Sequence, residues 1–473
     1  MNRHVTFLRA LIIMSLAGFS AQAVWAEPVL TWTPGITISR LSADGSVGTG
    51  NSTDGTYSPS RWTPTEGVVR LGQSSGEILG RSGGIPGISA DGEKISSSIA
   101  SFDSTVVTHG RWTKGLGWEQ LMPPLPPGVV ELDQSYGSAW GISGDGSTVV
   151  GYAWHSPGRA YCSAWNETTG MTLLGGQDPD YDSRANDADF DGNVIVGWSS
   201  IGFGYWQPTV WEDGALTVLH ASERWCEAKA VNPAGDTIVG SALDTLTGIN
   251  SAAMWVKNGP GWDEHILGAL SGTFGNGVGN VFGLDLNADA SIVVGANHKD
   301  NWTGVGFVWD LEQGIRPAVD WLADLGVALP DSYAIYAMHA ISDDGSTLAG
   351  VAYNQFVYPP EYEGFVVTLD DVSSVPRADI SDLSMGPATP NPFNPVTSFA
   401  LSVTRSSRIE IDVFDARGHL VRRLHNGIMA PGEHTVEWDG RMDNGRHAPS
   451  GLYLARARDE WGHEQMRRMT MVK

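Results

Sequence analysis

The residues Gly141-Ile142-Ser143-Gly144-Asp145-Gly146-Ser147-Thr148-Val149-Val150-Gly151 read as two short strands joined by a tight turn. Asp-Gly between two apolar runs is the strongest short signal of a β-hairpin, because the turn needs a positive φ that Gly adopts without strain. Related phrases occur six more times, at Leu41–Gly45, Ile88–Gly92, Ala188–Gly192, Val231–Gly235, Leu286–Ala290 and Ile341–Gly345. The chain therefore contains seven copies of one hairpin motif.

A tryptophan follows each of the first six turns at a nearly constant distance. Counted from the turn positions (Gly45, Gly92, Gly146, Gly192, Gly235 and Ala290), the distance is 17 to 20 residues. The tryptophans are Trp62, Trp112, Trp165, Trp211, Trp255 and Trp309, and Phe365 lies 20 residues after Gly345 in the seventh copy. The copies are 43 to 55 residues apart and each reads as four short strands. This period predicts an all-β, seven-bladed β-propeller-like domain over residues 27–370, with the tryptophans buried at matching places.

The last copy lacks its fourth strand, since Phe365–Leu369 leads directly into a polar segment. The segment Val29–Thr33 precedes the first turn, and we expect it to supply the missing strand and close the ring. A closed ring leaves few free strand edges, which protects a β protein from edge pairing. Residues 318–325 are predicted to form a short helix inserted before the seventh copy.

The repeats resemble the HAF-type extracellular repeats of bacterial secreted proteins, which share an Ile-Ser-x-Asp-Gly-Ser-x-Val-Val-Gly core and a later tryptophan. The resemblance covers residues 30–370 and is clearest in the third and seventh copies. In the second copy Ser97 stands at the closing Gly, and in the sixth Ala290 stands at the turn Gly. The resemblance implies an extracellular location and a propeller-like architecture more than a particular activity.

Residues 1–26 have the pattern of a secretory signal peptide. Arg3 and Arg9 give a positive start, Leu11–Phe19 is apolar but too short to span a bilayer, and Val24-Trp25-Ala26 fits a signal peptidase site. The sequence therefore predicts export, and an extracellular or outer-surface location with no membrane span in the mature chain.

Charge is distributed unevenly along the mature chain. Residues 27–386 hold 15 Lys and Arg against 43 Asp and Glu, a formal charge of −28, whereas residues 387–473 carry +2. An acidic body disfavours nucleic acid and anionic membranes as partners and is compatible with bound cations. The two cysteines, Cys162 and Cys226, are too few for a disulfide framework, so buried thiols are favoured over a bridge between repeats.

The chain changes character after a linker at residues 371–389. Residues 390–473 show alternating strands separated by turns such as Asp443-Asn444-Gly445, which predicts a small immunoglobulin-like sandwich. The module resembles the Ig-like domain shared by flagellar hook-capping proteins and by the C-terminal sorting domains of type IX-secreted proteins. The matching stretches are Pro390–Pro395, Val413–Gly418, Gly432–His434, Val436–Gly440, Ser450–Tyr453 and Met471–Lys473. The resemblance implies recognition by an outer-membrane secretion machinery, followed by cleavage or surface attachment; an Ig-like spacer is the alternative.

No catalytic residues and no required cofactor are predicted. The Gly-x-Ser-x-Gly pattern at Ser74 lacks the strand and helix that a nucleophile elbow needs. Asp187, Asp189, Asp191 and Asn193 resemble the first half of a calcium loop, so calcium is retained as a hypothesis. Trp198 stands where the twelfth, acidic ligand belongs, and the alternative is that Asp191 and its neighbours only form the fourth turn.

The chain has 19 tryptophans, and those outside the repeat position are candidates for stacking against sugar rings. Trp154, Trp198 and Trp206 are the residues predicted to bind a ligand; packing beneath loops is the alternative. The leading hypothesis is a secreted or cell-surface, non-enzymatic protein that binds an extracellular glycan or surface protein. The alternative is a glycan-active hydrolase or lyase that uses acidic residues of the propeller.

Overall fold

A computed structural model describes the chain from residue 28 onward. The described ranges are 28–79, 83–122, 136–156, 159–202, 204–270, 280–298, 304–358, 360–369, 383–385, 388–391, 393–403, 407–415, 420–429, 432–443, 445–459 and 464–472. The predicted signal peptide and most of the predicted linker lie outside these residues. No helix within them has the length and apolar character needed to cross a bilayer.

Strand pairing groups the repeat region into seven four-stranded antiparallel units, which follow one another along the chain. A single parallel contact between Asn250 and Asn280 joins the sheets of the fifth and sixth units. The strands are β1 (Val29–Thr33); unit 1, β2 (Ile36–Leu41), β3 (Gly48–Ser52), β4 (Pro59–Thr63), β5 (Gly67–Arg70); unit 2, β6 (Gly87–Ile88), β7 (Lys94–Ala100), β8 (Val107–Thr113), β9 (Gly117–Leu121); unit 3, β10 (Gly137–Ile142), β11 (Val149–Ser156), β12 (Arg159–Asn166), β13 (Gly170–Leu173); unit 4, β14 (Ser183–Ala188), β15 (Val194–Ile201), β16 (Tyr205–Glu212), β17 (Ala215–Val218); unit 5, β18 (Ala228–Val231), β19 (Thr237–Asp244), β20 (Ile249–Asn258), β21 (Gly261–Gly268); unit 6, β22 (Asn280–Leu286), β23 (Ile292–His298), β24 (Gly304–Asp310), β25 (Gly314–Pro317); and unit 7, β26 (Tyr333–Ile341), β27 (Thr347–Asn354), β28 (Tyr362–Thr368).

The first strand of the domain completes the last unit. β1 pairs antiparallel with β28, from Val29 opposite Thr368 to Thr33 opposite Gly364. This confirms the predicted closure by Val29–Thr33, and it confirms the all-β, propeller-like class. Among the described residues two helices interrupt the strands, α1 (Gly76–Leu79) and α2 (Ala318–Asp324), and α2 lies where a short helix is predicted.

The repeated turn is held by its own side chains. In unit 3, the Ser143 hydroxyl donates to the Asp145 carboxylate at 2.6 Å, and that carboxylate accepts the backbone N–H of Ser147 at 2.8 Å. The backbone N–H of Thr148 in turn donates to the Ser143 hydroxyl at 2.9 Å. Short polar side chains that bond to nearby backbone groups favour such turns, which explains the Ser-x-Asp-Gly-Ser pattern.

Backbone hydrogen bonds join each turn to the turn of the next unit and return to the first. The donors and acceptors are Ala43 to Ala90, Ala90 to Gly144, Gly144 to Asp189, Phe190 to Pro233, Ala288 to Asp343 and Asp343 to Ala43, and the Asn232 side chain bridges units 5 and 6 by donating to Ala288. The seven turns therefore form one closed circle at one end of the domain.

Turn glycines also sit directly against the preceding unit. An added Cβ on Gly45 would lie 2.3 Å from the Thr347 Cβ of unit 7, and one on Gly92 would lie 2.7 Å from Val47 of unit 1. Gly45 has φ +67 and Gly92 has φ +69. The turn position thus combines a left-handed backbone with a close approach. Ala290 adopts φ +57 at the same position, a conformation that costs a residue with a Cβ about 1–2 kcal/mol.

The repeat tryptophans share one register. Each pairs with the residue three positions after its turn: Trp62 with Gly48, Trp112 with Ile95, Trp165 with Val149, Trp211 with Ile195, Trp255 with Ile238 and Trp309 with Val293. Trp62, Trp211 and Trp255 are buried, while the other three are half-buried against neighbouring core clusters. In unit 7 the residue paired at this position is Val367, opposite Leu348. The prediction that Phe365 is the counterpart of the repeat tryptophans is therefore wrong by two residues.

Apolar clusters between neighbouring units form the core. The cluster that joins unit 1 to unit 7 contains Ile36, Ile38 and Trp62 on one side and Ala349 and Val366 on the other. α2 packs its Trp321 and Leu322 side chains into the cluster of units 6 and 7. Cys162 and Cys226 are both free and buried, as the favoured interpretation predicts.

The C-terminal region forms two antiparallel sheets with a separate apolar core. Its strands are β29 (Leu383–Met385), β30 (Thr397–Val403), β31 (Ser407–Asp415), β32 (Leu420–Met429), β33 (Gly432–Trp438), β34 (Gly451–Asp459) and β35 (Glu464–Met471), ordered β29-β30-β33 and β32-β31-β34-β35. The Trp438 indole is fully buried between Phe393, at a ring distance of 5.4 Å, and Tyr453, at 4.9 Å. The predicted Ig-like sandwich is confirmed.

A matched pair of substitutions tests the close approach of the turns. Gly55 has φ +82 but an added Cβ there meets nothing within 4 Å. We expect Gly55→Ala to cost roughly 1 kcal/mol of unfolding free energy through backbone strain alone. Gly45→Ala adds the clash with Thr347 and should cost about 2 kcal/mol more. Denaturant unfolding of both variants measures the difference; equal losses would contradict tight packing between units 7 and 1.

Candidate functional site

The first strand of six units carries a β-bulge at the same place, six residues before the turn position. The pairing register skips one residue there: Ser39 in β2, Trp140 in β10, Asn186 in β14, Lys229 in β18, Leu284 in β22 and His339 in β26. In unit 2, Pro86 occupies the equivalent position just ahead of β6. A bulged residue is left out of the ladder, and bulges re-aim side chains next to functional sites.

These seven bulge-position residues surround one cavity of about 300 Å³ at the centre of the ring. The remaining lining residues are Thr37, Arg40, Asn51, Ile85 and His298. The volume is at the lower end of the range for small-molecule sites. Although the seven units share their turns and strand register, no two of them place the same residue type at the bulge position.

A charged network lies in the wall of the cavity. The Glu227 carboxylate accepts from Arg184 at 3.0 Å, from the Lys229 ammonium at 2.6 Å and from Asn186 at 2.9 Å. Burial alone would raise the pKa of Glu227, but Lys229 and Arg184 outweigh it and hold that pKa below its ordinary value. The Arg184 guanidinium also lies 3.6 Å from the centre of the Trp140 ring, a cation–π contact. Two cations therefore share one carboxylate.

Arg40 lies beside this network, and the acceptors found for it among the described residues are backbone oxygens. Its guanidinium bonds to the carbonyl of Ser39 at 3.0 Å and to the carbonyl of Lys229 at 3.4 Å. Within the described part of the chain, no carboxylate forms an ion pair with Arg40. Its positive charge is therefore not cancelled by a direct partner.

Two carboxyl groups stand behind the lining at the residue after the bulge. Asp187 accepts the N–H of Val231 at 3.1 Å, and Asp285 accepts the N–H of Ile341 at 3.0 Å. In both cases the donor lies in the first strand of the next unit. Burial raises the pKa of Asp187 and raises the pKa of Asp285 to about 7, although Arg40 pulls both pKa values down. Asp285 is thus only partly ionised near neutral pH and offsets part of the Arg40 charge.

Both histidines of the lining are neutral at pH 7. Burial lowers the pKa of His339 to about 4, and the positive charges of Arg40 and Lys229 act in the same direction. Burial and Lys229 also lower the pKa of His298. The described lining consequently holds two cations and two neutral imidazoles, with no Asp or Glu among its residues.

Two of the three tryptophans predicted to bind a ligand come together. Trp198 and Trp206 stack with ring centres 4.4 Å apart, and Trp198 is buried. Trp154 lies apart from them against Tyr152, with ring centres 6.0 Å apart. Trp225, which the sequence analysis did not select, continues the stack at 6.1 Å from Trp206 and is 59% exposed.

The four residues of the predicted calcium loop have separate roles. Asp187 contacts the next unit, whereas Asp189 takes the place of the turn serine and accepts the N–H of Val194 at 2.9 Å. Burial and the neighbouring Asp191 carboxylate raise the pKa of Asp189 to about 6. Asn193 is exposed. In the described ranges, no group of three or more His, Cys, Asp or Glu side chains is placed to hold a metal ion, so the geometry does not assemble the predicted loop.

Sequence reasoning missed Arg40, Lys229, His298 and His339. The signal that could have found most of the lining is the column six residues before each turn, read across the aligned copies. The seven copies place unrelated residue types at this position, so no sequence motif marks it. It becomes visible only when the copies are aligned on their turns.

The FlgD Ig-like domain family model matches residues 393–460. The C-terminal sandwich therefore contains a FlgD Ig-like domain, as its resemblance predicts. No curated protein matches the chain.

Solved structures with similar architecture share 12% identity with the chain. A prolyl endopeptidase has a TM-score of 0.44, with 80% of this chain and 55% of that chain covered. The β-propeller domain of the trilobed protease from Pyrococcus furiosus has a TM-score of 0.43, with 74% and 100% covered. PorZ, a surface component of the type-IX secretion system of Porphyromonas gingivalis, has a TM-score of 0.35, with 95% and 61% covered. The chain thus spans little more than half the length of the endopeptidase, and the architecture rests on the strand pairing itself.

Replacing Asp189 with the serine found in other copies should stabilise the protein more at high pH than at low pH. A carboxyl whose pKa is raised on folding weakens the native state as pH rises from about 4 to above 6. We therefore expect Asp189→Ser to raise stability by on the order of 1–3 kcal/mol at pH 8 and by about half as much at pH 5. Melting temperatures at both pH values measure this.

Ser143→Asp is the matched control in unit 3, because it creates the same pair of carboxylates there. It should destabilise the protein more at pH 8 than at pH 5. A stabilisation by Asp189→Ser that is equal at both pH values would contradict the assigned role of Asp189.

Proposed function

We propose that this chain is a secreted or cell-surface protein that acts by binding, with the central cavity as its ligand site. The observation that carries the proposal is the ring of seven different bulge-position residues around one cavity. The bulge frees these side chains from the strand ladder, so strand pairing does not determine them. A scaffold that is uniform elsewhere and varied only at its centre is suited to recognising one particular ligand.

The placement of acidic groups favours binding over glycan hydrolysis. Glycosidases use two carboxyl groups that face one cleft, roughly 5 to 9.5 Å apart. The cavity lining in the described residues has no Asp or Glu. The nearby Glu227 is held by two cations, and Asp187 and Asp285 by backbone N–H groups. This supports a non-enzymatic role for the cavity.

A ligand screen with a cavity-filling variant tests the binding proposal. The mature chain would be screened against polysaccharides, oligosaccharides and small metabolites, with both thermal stabilisation and release of reducing ends recorded. We expect a ligand that stabilises the protein without turnover, and at least about a tenfold loss of affinity in Leu284→Trp, which fills the cavity. The control is Leu246→Trp, at a side chain that is 96% exposed. Turnover that Leu284→Trp abolishes would contradict the proposal.

We further propose that residues 387–473 direct a type IX-like secretion or surface attachment step. The FlgD Ig-like match and the likeness to sorting modules support this proposal. The apolar core of the sandwich runs from Met385 to Met471, so β29, which lies in the predicted linker, also belongs to the sandwich. A module with its own core is expected to fold independently of the domain that precedes it.

Deletion and transfer of the module test the sorting proposal in a host that has a type IX machinery. Without residues 387–473 the protein should keep its thermal transition for the repeat domain but remain in the periplasm. A periplasmic reporter fused ahead of residues 383–473, which keep β29 with its partner β30, should reach the surface or medium. Buried Trp438→Ala, which should unfold the sandwich at a cost of about 3–5 kcal/mol, should also abolish export of the reporter. Surface delivery of the truncated protein would favour an Ig-like spacer instead.

A further inference from the structure

We infer that the central cavity takes a small, carboxylate-bearing anion with an apolar body, and that Arg40 and Lys229 are its cationic contacts. This inference rests on the proposed binding function, and it adds the chemical class of the ligand. It follows from the charges, the open hydrogen-bonding capacity and the shape of the lining.

The charge of the lining is opposite to that of the domain around it. Residues 27–386 carry a formal charge of −28, yet the charged residues that line the cavity are Arg40 and Lys229. The composition of so acidic a domain would not predict a cavity whose charged lining residues are both cations. Partly buried cations without full compensation favour an anion, because low-dielectric surroundings strengthen the attraction.

Arg40 has the capacity to bind a carboxylate through two hydrogen bonds. Its guanidinium has five N–H donors, of which the backbone carbonyls of Ser39 and Lys229 occupy one each. The planar fork matches a carboxylate, and bidentate pairs of this kind are among the strongest hydrogen-bonded contacts in proteins. A neutral ligand would leave this guanidinium without a carboxylate in direct contact.

Lys229 adds a second contact on the same side of the cavity. One of the three ammonium donors of Lys229 is used by Glu227 at 2.6 Å. Glu227 is also shared with Arg184, so the group of three carries a net positive charge. The carbonyl of Lys229 accepts from Arg40, which places the two cationic residues next to one another.

The rest of the lining indicates the body of the ligand. Ile85, Pro86 and Leu284 supply apolar surface, while the neutral rings of His298 and His339 can accept or donate single hydrogen bonds. The volume of about 300 Å³ limits the occupant to a small molecule. A carboxylate joined to a compact apolar or amphipathic group fits both features.

A tethered carboxylate tests the charge preference without knowledge of the ligand. Leu284→Glu and Leu284→Gln place side chains of nearly equal shape at the same bulge position. At pH 6, where Asp285 is largely protonated, we expect the Glu variant to melt about 2 °C or more above the Gln variant. An equal or lower melting temperature for the Glu variant would overturn the inference.

Matched ligands test the same preference directly. The full mature chain would be titrated with benzoate against benzamide and hexanoate against hexanamide, which differ mainly in charge. We expect a saturable rise in melting temperature with a carboxylate but not with its amide. Arg40→Met should weaken this binding about tenfold or more, Arg40→Lys should weaken it less, and the control Arg70→Met, at an exposed arginine of unit 1, should leave it unchanged.

The outcomes separate this inference from the proposed binding function. If the amides bind as well as the carboxylates and Arg40→Met has no effect, the cavity binds ligands but the anion inference is wrong. If Arg40→Met does not fold, or none of these four compounds binds, the inference is decided by the melting temperatures of Leu284→Glu and Leu284→Gln alone. Turnover of a glycan in the cavity would contradict the binding function while leaving the charge comparison valid.

Discussion

The close approach between successive turns is the constraint on which the repeat domain depends. A left-handed turn residue without a side chain lets Gly45 lie against Thr347, and the same contact recurs from unit to unit. Backbone hydrogen bonds and the Asn232 side chain then connect the seven turns in one circle. Because each unit buries its apolar face only against its neighbours, no unit is stable alone, and closure by β1 removes the two ends at which pairing would otherwise stop.

The close approach of the turns acts at one end of each unit. It does not determine the residue type in the middle of the first strand. The turn and the register after it set how neighbouring units pack, whereas the bulge six residues earlier releases one side chain from pairing. Ser39 and Lys229 occupy equivalent positions although they have nothing in common chemically. The turn motif and the cavity lining thus lie on separate residues of each unit, although Trp140 and Asn186 of the lining also contact the neighbouring unit.

The sequence predicts those features that are decided locally and repeated. The seven turns, the tryptophan register, the closing strand and the Ig-like sandwich all follow from motifs that recur or match a known module. The cavity does not, because a bulge is a slip of register that depends on the neighbouring units.

The calcium hypothesis arose from a regular spacing of Asp187, Asp189 and Asp191 that combines two unrelated roles, contact with the next unit and replacement of a turn serine. Trp198 and Trp206 stack through strand pairing across β15 and β16, whereas the contact of Arg184 with Trp140 joins two units and leaves no trace in the spacing.

The contrast between the acidic domain and its cationic cavity raises the question of which charges an entering ligand experiences. At physiological ionic strength, interactions between exposed charges fade over about 8 Å, so the surface carboxylates act weakly on a group held at the centre. Arg40 and Lys229 are partly enclosed and are screened much less. Binding strength at the cavity is therefore set by these two residues and the carboxyls behind them, whereas the surface charge acts mainly on the rate at which an anion approaches. An acidic exterior and an anion-binding centre are accordingly compatible, because the two act over different distances.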